Sequence, residues 1–324
     1  MKYKHCHGRI GSAGGQSALS GASQEIAAEL ARHEFPSLEA AQKHLDEYVR
    51  RRNRTPLPEF NGLSPEEMAQ LLYAPFDSPG VIVIPVVLDS EPTAEILDLF
   101  MFMAESLAGG GIKLTEKGNL PRALCRAAAE RFAAAGSAGP FYLDGSMPNR
   151  ESDLPALRVT RKVAELAGLV RKYRGHLELT RKAKRLVQEH GARGVYPALF
   201  RAFVEDYNWA YMDGYPDLDL VQTSWAFTAY LLMRFGGETR SAGFYAEQFL
   251  NAFPAVTAEV EESPYEEPRK VGARCYQLRA LERFAEFMGL ARVGYDRPTR
   301  HFAELTVTML PLLGEVVRFA GRSP

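Results

Sequence analysis

The sequence predicts a mainly α-helical fold with small β hairpins, organised as three winged-helix-like modules embedded in additional helices. Three observations carry that expectation. Amphipathic stretches with apolar residues every three to four positions dominate the chain. Strand signals are confined to short runs beside glycines or turn residues. A helix, a glycine, a short hairpin-like stretch and a further helix recur in three places.

The bulk numbers agree with a packed globular chain. Its 324 residues suit about two domains on the usual length prior. The 46% hydrophobic and 24% charged fractions point to a core rather than disorder. No apolar run approaches the ~18 residues of a membrane span. The basic N-terminus is followed by Gly, Ser and Ala instead of an apolar stretch, so no secretory signal is expected and a cytoplasmic protein is. Cys6, Cys125 and Cys275 are too scattered for a disulfide framework, and the last two read as small buried hydrophobes. A net charge of −1 gives no global pull toward nucleic acid, so any such affinity must be local.

The elements follow in order. Residues 11–22, rich in Gly, Ser and Ala, read as a linker, and residues 23–54 as a charged helical segment. Its helix over 37–52 carries the apolar stripe Leu38, Ala41, Leu45 and Tyr48. Arg50, Arg51, Arg52 and Arg54 at its end complement the helix dipole and read as a solvated terminus. Ser64, Pro65 and Glu67 form a capping box for the next helix, with Leu63 and Met68 at the hydrophobic-staple positions. Residues 81–88 are apolar but contain Pro85, which makes them an edge strand or a packed extended segment.

The repeat supplies the remaining organisation. Its first copy, within residues 61–136, runs through Gly109-Gly110-Gly111 and Ile112-Lys113-Leu114-Thr115. The second, residues 150–193, has Gly168 and a turn at Arg174-Gly175; the third, residues 269–324, has Gly289. Ala164, Glu165, Gly168, Leu169 and Arg171 align with Ala285, Glu286, Gly289, Leu290 and Arg292. Each glycine is expected to end its helix in the left-handed conformation before a two-stranded wing. Residues 195–258 form a helical, aromatic-rich segment, and 259–268 an acidic, solvated linker.

At the start of the chain, residues 1–10, Lys2-Tyr3-Lys4-His5-Cys6-His7-Gly8 resembles the second half of the SEC-C zinc-binding motif. That motif runs Cys-Pro-Cys-Gly-Ser-Gly, two residues, Tyr-Lys-x-Cys, then His or Cys and Gly; Tyr3, Lys4, Cys6, His7 and Gly8 match it. The resemblance implies Cys6 and His7 as the third and fourth zinc ligands, with the first pair upstream of Met1. Structural zinc requires four ligands, so zinc is expected only with an upstream Cys pair, and no cofactor for the chain as given. The motif and the modules together resemble bacterial SEC-C-bearing proteins of undefined role.

The strongest local charge lies in the second copy. Residues 157–193 hold eleven Lys and Arg against three Glu. Arg158, Arg161, Lys162 and Glu165 fall on one helical face, opposite Ala156, Val159, Val163 and Leu166 as the core side. Arg171, Lys172, Arg174 and His176 sit on the expected wing. A cationic helix beside a cationic wing is how winged helices engage a groove and its phosphates. Arg158, Arg161, Lys162, Arg171, Lys172 and Arg174 are therefore the candidate nucleic-acid contacts, with DNA as the partner. The third copy, with five Arg against four acids over residues 278–306, lacks that footprint and reads as a packing or dimerisation unit.

Other constellations point less far. Tyr207, Trp209, Tyr211 and Tyr215 read as core, and Asp213, Asp217 and Asp219 as turn and cap residues. His33, His44, His190 and His301 have no second partner at ligand spacing. No catalytic motif is present, so no enzyme is expected. Two readings remain: a nucleic-acid-binding protein using the second module, or a non-enzymatic adaptor that docks a protein partner or a second copy of itself.

Overall fold

Residues 24–134, 147–211, 213–295 and 305–321 are described by a computed structural model. Helix α1 covers residues 24–31 and leads into α2, Leu38–Arg54. Ser37 caps α2 by accepting the Ala40 N–H at 3.2 Å, and the acid-first, base-last order of Glu39 and Arg51, Arg52 and Arg54 suits the dipole. The α2 stripe is only partly covered: no residue of the helix is buried, and Leu38 is 90% exposed. Helix α3, Pro65–Tyr73, begins as its capping box requires. Ser64 Oγ accepts the Glu67 N–H at 3.3 Å, Glu67 Oε2 accepts the Ser64 N–H at 2.7 Å, and Leu63 and Met68 are buried beside them.

After the short strand β1, Ile82–Val83, the first sheet-bearing unit assembles. It comprises α4 (Glu95–Leu107), β2 (Ile112–Lys113), α5 (Arg122–Ala134), α6 (Pro155–Leu166), β3 (Val170–Tyr173) and β4 (His176–Leu179). These strands form one antiparallel sheet in the order β2-β4-β3, with Ile112 opposite Leu177 and Lys172 opposite Leu177 on its other side. Helices α7 (Arg181–His190), α8 (Ala192–Glu205) and α9 (Asp219–Thr223) lead to the second unit.

That unit repeats the connectivity. It contains α10 (Trp225–Phe235), β5 (Arg240–Ser241), α11 (Ala242–Ala252), the short α12 (Ala255–Ala258), α13 (Pro268–Tyr276), β6 (Ala291–Tyr295) and β7 (Leu305–Met309). Its sheet order is β5-β7-β6, and α13 runs on as π-helix over Gln277–Glu286. Helix α14 (Leu312–Val316) then carries the chain to β8 (Arg318–Phe319), which pairs antiparallel with β1.

The described fold is thus mainly helical with small antiparallel sheets, as the sequence predicts. Its repeat is counted differently. The expected first and second modules share the β2-β4-β3 sheet, and β5 of the aromatic segment joins the expected third hairpin. Among the described residues, two three-stranded sheets stand where three modules were expected. The reason is that β2 and β5 are two residues long and have no local hairpin partner, so each borrows the edge of a hairpin formed later in the chain.

The aligned second and third copies do match in backbone. Gly168 and Gly289 take φ of 68° and 72° after their helices. The Leu169 N–H reaches the Ala164 carbonyl at 2.8 Å, and the Leu290 N–H reaches that of Ala285 at 2.7 Å. Between the units lies an aromatic core in which Trp209 stands 4.8 Å from Phe284, ring to ring, and Phe203 packs on both. Trp209 is core, as expected, whereas Tyr211 of the same cluster is 49% exposed. Cys125 and Cys275 are buried free thiols whose pKa values burial pushes up to about 11 and about 12. Among the described residues no helix is long and apolar enough to cross a membrane.

Candidate functional site

Helix α6 decides which of the expected cations can meet a ligand. Its inner face buries Ala156, Leu157, Val159, Thr160, Val163 and Ala164, and it also buries Arg161. Arg161 Nε lies 2.5 Å from Glu151 Oε1 and its Nη1 2.6 Å from Glu165 Oε1. Glu151, itself buried, accepts the Leu120 N–H at 2.8 Å as well. Arg161 is therefore a structural ion-pair residue rather than a surface contact. Leu166, expected on the core side, is exposed at the end of the helix.

The outward face of α6 looks into a cleft of about 660 Å³. Arg158, Lys162 and Glu165 form one wall, and Tyr207, Asn208 and Tyr211 the other. Arg158 Nη2 donates to the Tyr211 hydroxyl at 2.7 Å while its guanidinium lies over the Tyr211 ring at 5.3 Å. Lys162 stands 3.4 Å from Glu165. Arg283, from the π-helix, lines the same cleft. Burial raises the Tyr207 pKa, opposed by the nearby Arg283 and Arg158.

The repeat explains this wall. At the offset that aligns Glu165 with Glu286, Arg158 corresponds to Arg279 and Lys162 to Arg283. Arg158 holds Tyr211, and Arg279 holds the chain just beyond it. The Arg279 guanidinium meets Asp213 at 2.6 and 3.0 Å and donates to the Pro216 carbonyl at 2.8 Å. Asp213 also accepts the Tyr215 N–H at 3.0 Å. It is a turn and ion-pair residue, in keeping with its expected local role.

The expected wing is exposed and cationic. Strands β3 and β4 meet in a two-residue turn in which Arg174 and Gly175 take φ of 48° and 78°. Both values are positive, as a type I′ turn demands; glycine meets that demand freely and arginine does not. Arg171 and Arg174 each place a guanidinium 5.2 Å from the Tyr173 ring centre. Arg171 also pairs with Glu178 at 3.3 Å, and Lys172 stands 3.9 Å from Glu165.

Beside this hairpin α7 begins. Thr180 caps it by accepting the Ala183 N–H at 3.1 Å and donates to the Gly168 carbonyl at 2.7 Å. The first turn contains Arg181, Lys182 and Lys184, all exposed, and no acid. With Arg171 and the backbone of Gly110, Gly111 and Gly168 they line a hollow of about 680 Å³. Only glycine fits at 111, where φ is 93° and a Cβ would lie 2.8 Å from the Leu177 carbonyl oxygen. The sequence counted these α7 cations in its local charge but singled out none of them; the signal was their position directly after the N-cap threonine.

One further group was missed entirely. Glu29, His33 and His44 place a carboxylate oxygen and two imidazole nitrogens within 4.8 Å of one another, although each histidine looks isolated in sequence. Cys6 and His7, and with them the SEC-C resemblance, lie outside the described residues, as does His301.

A family model described as the Y4jL N-terminal domain matches residues 95–192. The match opens on the first residue of α4 and closes on the first of α8, so it takes in the β2-β4-β3 sheet, the wing and the basic turn of α7. It reaches neither the second sheet nor Cys6 and His7. No curated protein and no solved structure matches the chain. The chain is similar to the Y4jL N-terminal domain over the unit that carries the cationic hairpin.

Proposed function

We propose that the chain binds DNA, with the α4-β2-α5-α6-β3-β4 unit acting as a winged helix whose hairpin and following helix grip the phosphate backbone. The observation that supports this reading is the charge at the start of α7. A helix N-terminus carries partial positive charge, so Arg181 and Lys184 are electrostatically misplaced there unless an anion comes to them, while Lys182 donates to the Ala167 carbonyl at 2.8 Å. Backbone amides, Arg181, Lys184 and a glycine-lined hollow together suit a phosphate, and Arg171 offsets the one carboxylate in the lining, Glu178, at 3.3 Å. Arg174, held in a conformation that disfavours it, sits on the neighbouring hairpin.

The contact set therefore shifts from the one the sequence suggested. Arg171, Lys172 and Arg174 stay, Arg181 and Lys184 join them, and buried Arg161 leaves. Arg158 and Lys162 face the cleft, whose Tyr207–Tyr211 wall keeps α6 out of a major groove. Binding is then dominated by phosphate and tolerant of sequence. A zinc ion at Cys6 and His7 enters only if an upstream Cys pair completes that motif.

Fluorescence anisotropy on a labelled duplex tests the reading. Affinity should fall with salt at a log–log slope of about −0.9 per phosphate engaged. Arg174→Gln, Arg181→Gln and Lys184→Gln should each reduce that slope by about one such increment. A triple variant that binds with unchanged affinity and slope overturns the proposal. The adaptor reading is favoured by a different surface, the α2–α3 groove lined by Leu45, Val49 and Tyr73, the last of them 77% exposed. Self-association insensitive to salt and lost in a Tyr73→Lys variant would support it.

A further inference from the structure

We propose that Glu29, His33 and His44 form a binding site for a divalent ion of the zinc class, clasping α1 to α2. The sequence conceals the site because its parts come from three places. Glu29 lies in α1, His33 just past its end, and His44 in the middle of α2. The helix–turn–helix path brings them together.

The geometry is that of a ligand set. His44 Nε2 stands 3.3 Å from Glu29 Oε1, and His33 Nε2 stands 3.6 Å from the same oxygen. Ligand atoms on a tetrahedral zinc with bonds of roughly 2.0–2.1 Å lie about 3.3–3.4 Å apart. The two carboxylate–imidazole edges are therefore already near coordination length, before any ion draws them in. The imidazole rings are 4.5 Å apart, centre to centre, and Phe35 packs against both, with ring separations of 6.0 and 5.2 Å.

The surroundings favour a built site over a chance meeting of surface groups. Glu29 is only 8% exposed, an unusual place for a carboxylate, while His33 reaches solvent and leaves a path for an ion and for a water as fourth ligand. Glu29 Oε2 is held by Arg32 at 3.4 Å, which orients the carboxylate and leaves Oε1 turned to the histidines. Arg52 and Glu25, 2.5 Å apart, tie the two helices together on a second line. Two imidazoles and one carboxylate suit zinc and its borderline neighbours better than magnesium or calcium, which prefer all-oxygen sets.

Titration of the full chain with Zn²⁺ tests this, followed by calorimetry and by the absorption of a Co²⁺-substituted sample. The expected result is one ion per chain, a rise in Tm on binding, and a cobalt spectrum without a thiolate charge-transfer band. His33→Gln and His44→Gln should each weaken binding by tenfold or more, while Cys6→Ser leaves it unchanged. His33 is nearly half exposed on a loop, so its variant keeps the fold and remains informative if His44→Gln does not. The proposal is overturned by zinc affinity unchanged in His33→Gln, by a thiolate band, or by loss of zinc in Cys6→Ser. Absence of binding at millimolar Zn²⁺ overturns it too.

Discussion

Arg161 shows how a single side chain can carry two opposite meanings. A helical projection places it with Arg158 and Lys162, yet it is buried with Glu151 and Glu165 around it. Removing one partner of a buried pair strands the other charge, at a typical cost of about 3–5 kcal/mol. Arg161→Ala should therefore lower the urea midpoint sharply, whereas Lys162→Ala should leave it nearly unchanged; equal effects would contradict the burial. Arg174 presents the reverse case, a surface residue under backbone strain. Asparagine tolerates the left-handed region better, so Arg174→Asn should stabilise the hairpin by about 1 kcal/mol while weakening DNA binding. A gain in Tm without loss of affinity would separate the strain from function. The turn at Arg174 was legible in sequence, but the burial of Arg161 was not. Polar periodicity cannot tell a solvated arginine from one whose carboxylate partner lies ten positions earlier, and no local spacing joins His44 to Glu29.

At the level of elements, sequence chemistry served well wherever the determinant is local. The Ser64 box, the glycine helix stops and the Arg174-Gly175 turn all stand where their residues place them. It failed for β2 and β5, because two residues carry no alternation and their pairing depends on hairpins far along the chain. The π-helix after α13 is a second such case. It brings Glu282 and Glu286 into poorly solvated positions, and burial pushes both pKa values up to about 7. For Glu286 the neighbouring Glu95 and Glu282 add to the rise, while the Val293 N–H it accepts opposes it. A carboxyl whose folded pKa exceeds its unfolded value binds its proton more tightly when folded. Its contribution is full below about pH 4.5 and is lost as pH rises toward and through 7. Glu286→Gln should therefore match the parent at pH 5 and exceed it at pH 8, by roughly 1 kcal/mol after allowance for partial solvation. Thermal melts at the two pH values check this, and an equal gain at both would show that protonation is not the cause.

Across the whole molecule, contacts far apart in sequence bind the two units into one body. Strand β8 returns to β1, pairing Phe319 with Ile82. Ser90 Oγ donates to Glu315 at 2.6 Å, and Arg318 reaches Asp89 at 2.6 Å. Deeper in, the Tyr196 hydroxyl donates to the Met288 carbonyl at 2.6 Å, and a Cβ at Gly289 would come within 2.4 Å of the Thr93 carbonyl oxygen. These ties connect α8 and the approach to α4 with the hairpin of the second unit, so neither unit should unfold alone. Phe319 offers a clean probe, because it is buried and its ring meets Tyr230 of α10 edge-on at 5.4 Å. Phe319→Ala should cost about 3–5 kcal/mol. The loss should appear at the same denaturant midpoint by far-UV circular dichroism and by tryptophan fluorescence. Trp209 and Trp225, the only two tryptophans, lie outside the first unit, whereas dichroism reports every helix. Coincident shifts would follow from one cooperative body, and a second transition left in place by dichroism alone would mean that residues 95–192 fold independently of the rest.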